Sequence, residues 1–274
     1  MKKKITAIFL CVALLAIAIV GASLAYFTDT KTATNTFTVG NVKIDLIESK
    51  FHRTGSGGTG DTTIPAPDQT ASGMKYISDG TEAFTDEQIK TDAATYQEEY
   101  LAVKGQNMVP GRRVAKSPYV INTGANDAYI RIRVMLPTAA NNDYVNVHNG
   151  GVITNIWCST SMLSGEFVNA RSGGTGNEPY IKREAVTRDG VTYDVYTFVR
   201  VEPLAAGKMT EWNVWNNIGI DKDATTADIQ KAIDAGAITT GTDGTLTLNV
   251  LVEADAIQAE GFDSATEAWA AFDK

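Results

Sequence analysis

The amino-acid sequence predicts a mainly β fold, an antiparallel β-sandwich with a few short helical insertions. Three observations lead to this prediction: β-rich runs are short and numerous, helical patterns are few, and strands and helices do not alternate as they do in parallel α/β folds. The chain has 274 residues, of which 43% are apolar, so it can bury a sizeable core. We expect one elaborated domain over residues 41–274, preceded by a leader and an extended arm.

Residues 1–25 have the composition of an export signal. Three lysines precede an uncharged apolar run, 7–20. At about 1.5 Å per residue this run spans roughly 21 Å, less than the roughly 30 Å of a bilayer's hydrocarbon core. Ser23 and Ala25 supply small residues at positions −3 and −1 of a signal peptidase site, which makes Tyr26 the first mature residue. We therefore expect an exported protein, attached to the membrane only before cleavage.

The mature chain is acidic and poor in catalytic residue types. Without 1–25 it has 21 Lys+Arg against 32 Asp+Glu, a net charge of −11, and a nucleic-acid partner is therefore not expected. Cys158 then has no cysteine to pair with, and we interpret it as a small buried hydrophobic residue. The two histidines, His52 and His148, lie in loop-like sequence without a zinc motif. We predict no catalytic residues, no cofactor and no metal site.

Residues 26–40 carry a stripe of threonines. Every even position from 28 to 38 is threonine, so an extended chain would have the threonines on one face and Phe27, Ala33, Phe37 and Val39 on the other. Because the stretch is β-prone but weakly apolar, it has little reason to stay docked on its own domain. We predict an extended N-terminal arm over 26–40. Its expected contact residues are Tyr26, Phe27, Thr28, Thr30, Ala33, Phe37 and Val39.

The first part of the domain contains one strand and two insertions. Apolar and polar residues alternate at 42–46, which predicts a half-buried strand. Residues 52–73 are rich in glycine and proline and predict a loop or flexible insertion. Thr85 with Gln88 three residues later predicts a capping box, which opens a helical insertion over about 86–103.

Strand signals dominate from residue 108 onwards. The predicted strands are 114–122, 128–136, 180–186, 191–199 and 246–256. The dipeptide Asp189-Gly190 indicates a hairpin between the third and fourth of these. Arg131 and Arg133 fall on one face of their strand, with aliphatic residues on the other.

Two short helices are predicted among these strands. The first, 227–234, is ended by Gly236, and the second, 265–272, is opened by Ser264 with Glu267 three residues on.

Three motif-like strings have structural explanations. Residues 55–60 match GxGxxG, but the sequence that follows cannot open a helix, so a dinucleotide site is rejected. Residues 221–223 resemble the start of a calcium loop but lack the glycine and glutamate of an EF-hand, which favours acids placed before a helix. Arg112-Arg113 is interpreted as a solvated turn.

Segments at both ends and in the middle of the chain resemble a known family. They are YFTD (26–29), NTFTVG (35–40) and IDL (44–46), then VPGRRVAKSPYVINTG (109–124) with DAYIR (127–131), then ADAIQAEGF (254–262) with EAW (267–269). These segments are similar to those of the TasA and camelysin (CalY) family, exported biofilm-matrix proteins processed by the dedicated signal peptidase SipW.

The resemblance implies a jelly-roll-like β-sandwich that assembles into extracellular fibres. The N-terminal segment of one subunit would complete a sheet of the next, which is β-augmentation. Head-to-tail contacts of this kind that do not close on themselves give filaments. The expected partners are other copies of the chain, the signal peptidase during export, and a minor matrix or anchoring protein.

Two alternative functions stay open. A cell-surface polysaccharide-binding module is suggested by the sandwich fold and by Trp212, Trp215 and Trp269, which can equally be core residues. A camelysin-like secreted metalloprotease is suggested by the family, some members of which were described as casein-cleaving. The sequence carries no recognisable zinc motif, so the resemblance does not extend to that activity.

Overall fold

The computed structural model describes residues 28–32, 42–51, 84–106, 108–141, 151–157, 166–169 and 182–274. Over these ranges the protein is mainly β, with antiparallel sheets and few helices, as predicted. The strands are β1 (Thr28–Thr32), β2 (Ile44–Ser49), β3 (Arg113–Ala115), β4 (Ser117–Asn122), β5 (Ala128–Pro137), β6 (Ile153–Trp157), β7 (Phe167–Asn169), β8 (Lys182–Arg188), β9 (Val191–Arg200), β10 (Trp215–Ile220), β11 (Ile238–Thr240), β12 (Leu246–Leu248) and β13 (Leu251–Gln258). The helices are α1 (Asp86–Thr95), a π-helical turn (Tyr96–Leu101), α2 (Ala102–Lys104), α3 (Thr226–Asp234) and α4 (Ala265–Phe272).

The largest sheet in the described part of the chain has six strands and curls into a half-barrel. Its order is β1-β13-β5-β9-β7, with β8 also paired to β9, and each neighbouring pair is antiparallel. The smaller sheets are β3-β10-β6, β2-β4 and β11-β12. The predicted hairpin between β8 and β9 is confirmed: Asp189 and Gly190 have φ angles of 50° and 81°, as a type I′ turn requires.

The main core lies against the inner face of the six-stranded sheet. The even-numbered residues of β5 face it, whereas Arg131 and Arg133 lie on the outer face, as the alternation predicted. Strands β2, β4 and β10 contribute apolar residues to the same core. Its fully buried members include Ile44, Val120, Ile130, Ile132, Val134, Tyr196, Trp215, Ala254 and Ala256.

Two predicted strands are each divided in the structure. Residues 114–122 form β3, which pairs with β10, and β4, which pairs with β2. The chain changes sheets at Lys116, whose buried ammonium lies 2.5 Å from a carboxylate oxygen of Glu48 and over the Trp215 ring. Likewise 246–256 comprises β12, paired with β11, and the start of β13, paired with β5. Alternation continues through the break in 246–256, and 114–122 was predicted as a single apolar-rich run, so neither pattern revealed its break.

The predicted helical segments are confirmed, with one addition. The Thr85 hydroxyl accepts a hydrogen bond from the Gln88 N–H, and the Gln88 side chain accepts one from the Thr85 N–H, which completes the capping box. The segment continues beyond α1 through the π-helical turn, which the sequence did not predict. Helices α3 and α4 begin and end within one residue of their predicted limits. None of the described helices is long and apolar enough to cross a membrane.

Candidate assembly site at the β1–β13 edge

Strand β1 lies at the edge of the six-stranded sheet and pairs with β13 of the same chain. The antiparallel register joins Thr28 to Ile257 and Thr32 to Glu253. Residues 28–32 are thus extended in the structure and are paired with the chain's own β13. The backbone groups along this edge of β13 favour a strand partner even when its side chains are weakly apolar.

The other predicted site residues lie outside the described ranges. They are Ser23, Ala25 and Tyr26 of the cleavage site, and Phe27, Ala33, Phe37 and Val39 of the arm. The same holds for the 1–25 signal, the 52–73 insertion, Cys158, His52 and His148.

Strand β13 is anchored independently of β1. All eight of its residues, Leu251–Gln258, are in register with residues 128–135 of β5 on its other side. Seven of those eight residues are buried. Strand β13 is therefore held in the sheet by β5 along its whole length, whichever strand pairs with its other side.

The inner row of β13 consists of small residues. Ala254 and Ala256 face the main core and are both fully buried. In the register they are paired with Lys31 and Asp29.

The outer row of β13 carries two buried carboxylates. Asp255 and Glu253 are 0% and 3% exposed, and in the register they are paired with Thr30 and Thr32. Buried carboxylates need positive partners or hydrogen bonds, since desolvation disfavours the charged form. Arg131 and Arg133 of the neighbouring strand β5 and Arg188 of β8 supply the positive partners.

Arg131 is the centre of this charge network. Its Nε lies 3.0 Å from Asp255 Oδ2, and its Nη1 lies 3.0 and 2.9 Å from the two carboxylate oxygens of Asp273. Burial would lower the pKa of Arg131, but the Asp273 hydrogen bonds and the charge of Asp255 outweigh it and raise the pKa above its usual value. The guanidinium is therefore held in its charged form.

Arg133 and Arg188 complete the network. Arg133 Nη2 lies 3.2 Å from Asp255 Oδ1 and 3.1 Å from Glu253 Oε2, so it bridges the two carboxylates. Arg188 of β8 makes a bidentate contact with Glu253. Its Nη1 contacts Oε1, and its Nη2 lies 3.1 Å from Oε2. The hydrogen bond to Glu253 raises the pKa of Arg188 against a smaller effect of burial. Strands β5, β8 and β13 are thereby tied together across the outer face.

Helix α4 covers one end of the network. Arg131 Cζ lies 4.4 Å from the centre of the Trp269 ring and 5.1 Å from that of Phe272. The cation thus contacts two aromatic rings as well as two carboxylates. Trp269 and Phe272 also pack in a small apolar cluster with Tyr129 and Ile257.

Other residues considered from the sequence occupy structural positions. Trp215 and Trp269 are buried and Trp212 is half-buried, so these three do not form an exposed platform. Asp221 accepts a hydrogen bond from the Asp223 N–H in the turn that leads towards α3. Within the described ranges, no group of three or more His, Cys, Asp or Glu residues is placed to hold a metal ion.

Sequence reasoning missed both the acceptor strand and the charge network. The usable signal was complementary alternation: acids at 253 and 255 and arginines at 131 and 133 have the same two-residue spacing. Strands with matching charges at this spacing are candidates for direct pairing.

Comparisons with known proteins assign no family to the chain. No protein-family model matches it, and neither a curated protein nor a solved structure does.

Proposed function

We propose that the protein is a secreted structural subunit of extracellular matrix fibres. In the fibre, the N-terminal arm of one copy occupies the β13 edge of the next copy. The observation that carries this proposal is the pairing of β1 along β13, in which a short strand of weakly apolar sequence lies at the edge of the six-stranded sheet.

Exchange of β1 between copies requires no new complementarity. The contacts that β1 makes with its own β13 can be made with the β13 of another copy, which is the principle of domain swapping. An arm that reaches forward to a neighbour leaves its own edge open for the arm of a third copy. Because such a head-to-tail contact does not close on itself, it extends into a filament.

The anchoring of β13 suits it to the role of acceptor. Its register with β5 and the arginines on Glu253 and Asp255 hold the strand in place when β1 leaves. The finer fold assignment, a jelly-roll-like sandwich, belongs to the same proposal. It is supported by the single core that the six-stranded sheet shares with β2, β4 and β10.

The proposal includes export and partners. The leader 1–25 would be removed by a signal peptidase between Ala25 and Tyr26 to give a secreted chain, whose main partner is a second copy of itself. A net charge of −11 would keep the subunits apart and soluble until strand pairing overcomes their repulsion. A minor matrix or anchoring protein would attach the fibre to the cell surface.

A mature chain lacking residues 26–37 tests the proposal. It should remain folded, because β13 stays paired with β5, and it should form no fibres in negative-stain electron microscopy. Mixed with an equal amount of the full mature chain, it should shorten the fibres, since it accepts an arm but donates none.

The matched control lacks the same number of residues, 55–66, from the Gly/Pro-rich insertion. This control should form fibres of ordinary length. Fibres from the chain without 26–37, as abundant as those of the full mature chain, would contradict the proposal.

A further inference from the structure

The helical insertion covers the edge of β3, the strand at one side of the β3-β10-β6 sheet. In an antiparallel pair, alternate residues direct both backbone groups at the partner strand, and those of Ala115 point away from β10. At an open sheet edge, such groups are a template for a strand of another molecule. In this protein, two side chains of the π-helical turn bind them.

Tyr96 and Tyr100 bind Ala115 as a neighbouring strand would. The Tyr96 hydroxyl donates a hydrogen bond to the Ala115 carbonyl oxygen at 2.8 Å, and the Tyr100 hydroxyl accepts one from the Ala115 N–H at 3.2 Å. The two rings stack with their centres 5.4 Å apart, and both residues are buried. One donor and one acceptor thus replace the backbone groups of a strand partner. π-Helical turns are rare and frequently occur at functional sites.

The tyrosine pair is held over β3 by contacts on either side of it. Before the pair, Asp92 of α1 lies 2.6 Å from Lys50 Nζ and accepts a hydrogen bond from the Ser49 hydroxyl. After the pair, the carbonyl oxygen of Gln106 accepts a hydrogen bond from Arg112 Nη1 at 3.3 Å. The insertion is therefore attached both to the end of β2 and to the start of β3.

We propose that Tyr96 and Tyr100 close the β3 edge to strand addition by other copies of the chain, and so direct strand exchange to the β13 edge. This inference rests on the proposed function, because it says which edge of an assembling subunit receives a strand.

The two edges differ in what covers them. The cover of β13 is a strand, β1, which the same strand of another copy can replace. The cover of β3 is a pair of side chains packed in a small core cluster with Ala115 and Leu101. An incoming strand would have to displace both buried rings before it could reach the backbone of β3, and their removal from the cluster costs free energy.

Removing one hydroxyl tests whether the tyrosines bind the edge. In the mature monomer, Tyr100→Phe should speed amide hydrogen exchange of the Ala115 N–H by about tenfold relative to the β5 amides, because its acceptor is lost. Tyr119→Phe is the matched control, since Tyr119 is fully buried and its hydroxyl donates to the Phe51 carbonyl oxygen. This control should change the same ratio by less than about twofold. An unchanged ratio in Tyr100→Phe would overturn the proposal.

Removing the rings tests whether an uncovered β3 edge takes up a strand. Tyr96→Ala with Tyr100→Ala should make the mature chain associate at a concentration at which the unsubstituted chain is monomeric. Light scattering should show at least about a doubling of the mean mass. Tyr119→Ala, which removes a fully buried ring that does not cover β3, should stay monomeric. Where the double variant does not unfold cooperatively, Tyr100→Ala alone takes its place with the same expectation.

A monomeric Tyr96/Tyr100 variant would overturn the proposal, because an uncovered edge would then attract no strand. Equal association of Tyr119→Ala would also overturn it, since loss of packing rather than an open edge would explain the result. Failure of the unsubstituted chain to form fibres would overturn the proposed function instead. Both tests on dilute chains would still decide whether the tyrosines close the β3 edge.

Discussion

At the scale of single residues, Arg131 connects more parts of the protein than any sequence pattern suggested. Its guanidinium contacts Asp255 of β13 and Asp273 just after α4, and lies against Trp269 and Phe272. Lysine cannot reproduce this arrangement, because its ammonium is not planar. The planar guanidinium can donate hydrogen bonds to two carboxylates and stack on aromatic rings at the same time. The alternation in β5 predicted the face on which Arg131 lies, but its partners are more than 120 residues away in the chain. Only the matching two-residue spacing of the acids at 253 and 255 points to one of them, and nothing in the sequence points to Asp273.

Replacing Arg131 with leucine should destabilise the protein strongly. Asp255 is fully buried and would lose its closest cation, and breaking a buried pair by removing one partner costs about 3–5 kcal/mol. Part of this loss is offset by Arg133, which also contacts Asp255, so we expect a decrease of about 3 kcal/mol in the free energy of unfolding. Urea denaturation followed by tryptophan fluorescence measures it.

Lys222→Ala is the control for this variant. Its ammonium pairs with Asp223 at the surface, and such exposed pairs contribute little to stability. An Arg131→Leu variant as stable as this control would show that the network is not a stabilising element.

At the scale of elements, the sequence predicted where regular structure occurs better than how it is divided. The helix starts at Thr85 and Ser264 depend on local hydrogen bonds, and both were predicted correctly. The division of 114–122 at Lys116 depends on Glu48 and Trp215, which approach from distant parts of the chain. Short strands such as β7 and β11, of three residues each, are too short for a period-2 pattern to identify.

The same limit applies to the candidate site. The Thr-striped arm predicted an extended segment and the faces on which its residues fall. It could not predict that the segment pairs with residues 253–257, because a strand register is set by the partner as well as by the strand.

The segment 52–83, which includes the predicted Gly/Pro-rich insertion at 52–73, is flanked by two stacked aromatic residues. The rings of Phe51 and Phe84 lie 4.2 Å apart with an angle of 6° between their planes. Phe84 belongs to a small core cluster with Ile89, Tyr119 and Met209, and Phe51 packs against it. The points where the chain leaves and re-enters the described structure are therefore adjacent and fixed by core packing.

Replacing residues 53–82 with a short Gly/Ser linker should preserve the fold. The stacked rings keep the two ends close, so a linker of about four residues can join them. Shortening a loop from about 30 residues to about four lowers the entropic cost of bringing its ends together. This favours the folded state by up to roughly 2 kcal/mol. Thermal unfolding should therefore show an unchanged or raised midpoint.

Phe84→Ala is the companion variant for the linker test. It removes a buried aromatic side chain and should lower stability by about 3 kcal/mol. Loss of cooperative unfolding in the linker variant would instead mean that the insertion contributes to the core.

At the scale of the whole molecule, the proposed strand exchange would depend mainly on concentration. The β1–β13 contacts would be the same within and between copies, so pairing energy alone would not favour the fibre. The balance would depend on the effective concentration of the chain's own arm relative to the concentration of neighbouring copies. The proposed fibre should therefore form only above the chain concentration at which the intermolecular pair becomes favoured.

A mixture of two cysteine variants tests this exchange directly, since Lys31 and Ala254 are paired in the register. One mature chain carries Lys31→Cys, the other Ala254→Cys, and both carry Cys158→Ser, so no chain can form an internal disulfide. Paired strand residues have Cβ atoms about 4.5–5.5 Å apart, close enough for a disulfide after a small adjustment. Oxidation after assembly should therefore give covalent dimers on a non-reducing gel, whereas oxidation of dilute monomers should give few.

Ala256→Cys in place of Ala254→Cys is the matched control, because Ala256 is equally buried but is paired with Asp29. Equal dimer yields from the two acceptor positions would contradict the β1–β13 register between copies, and fibres without dimers would contradict strand donation itself.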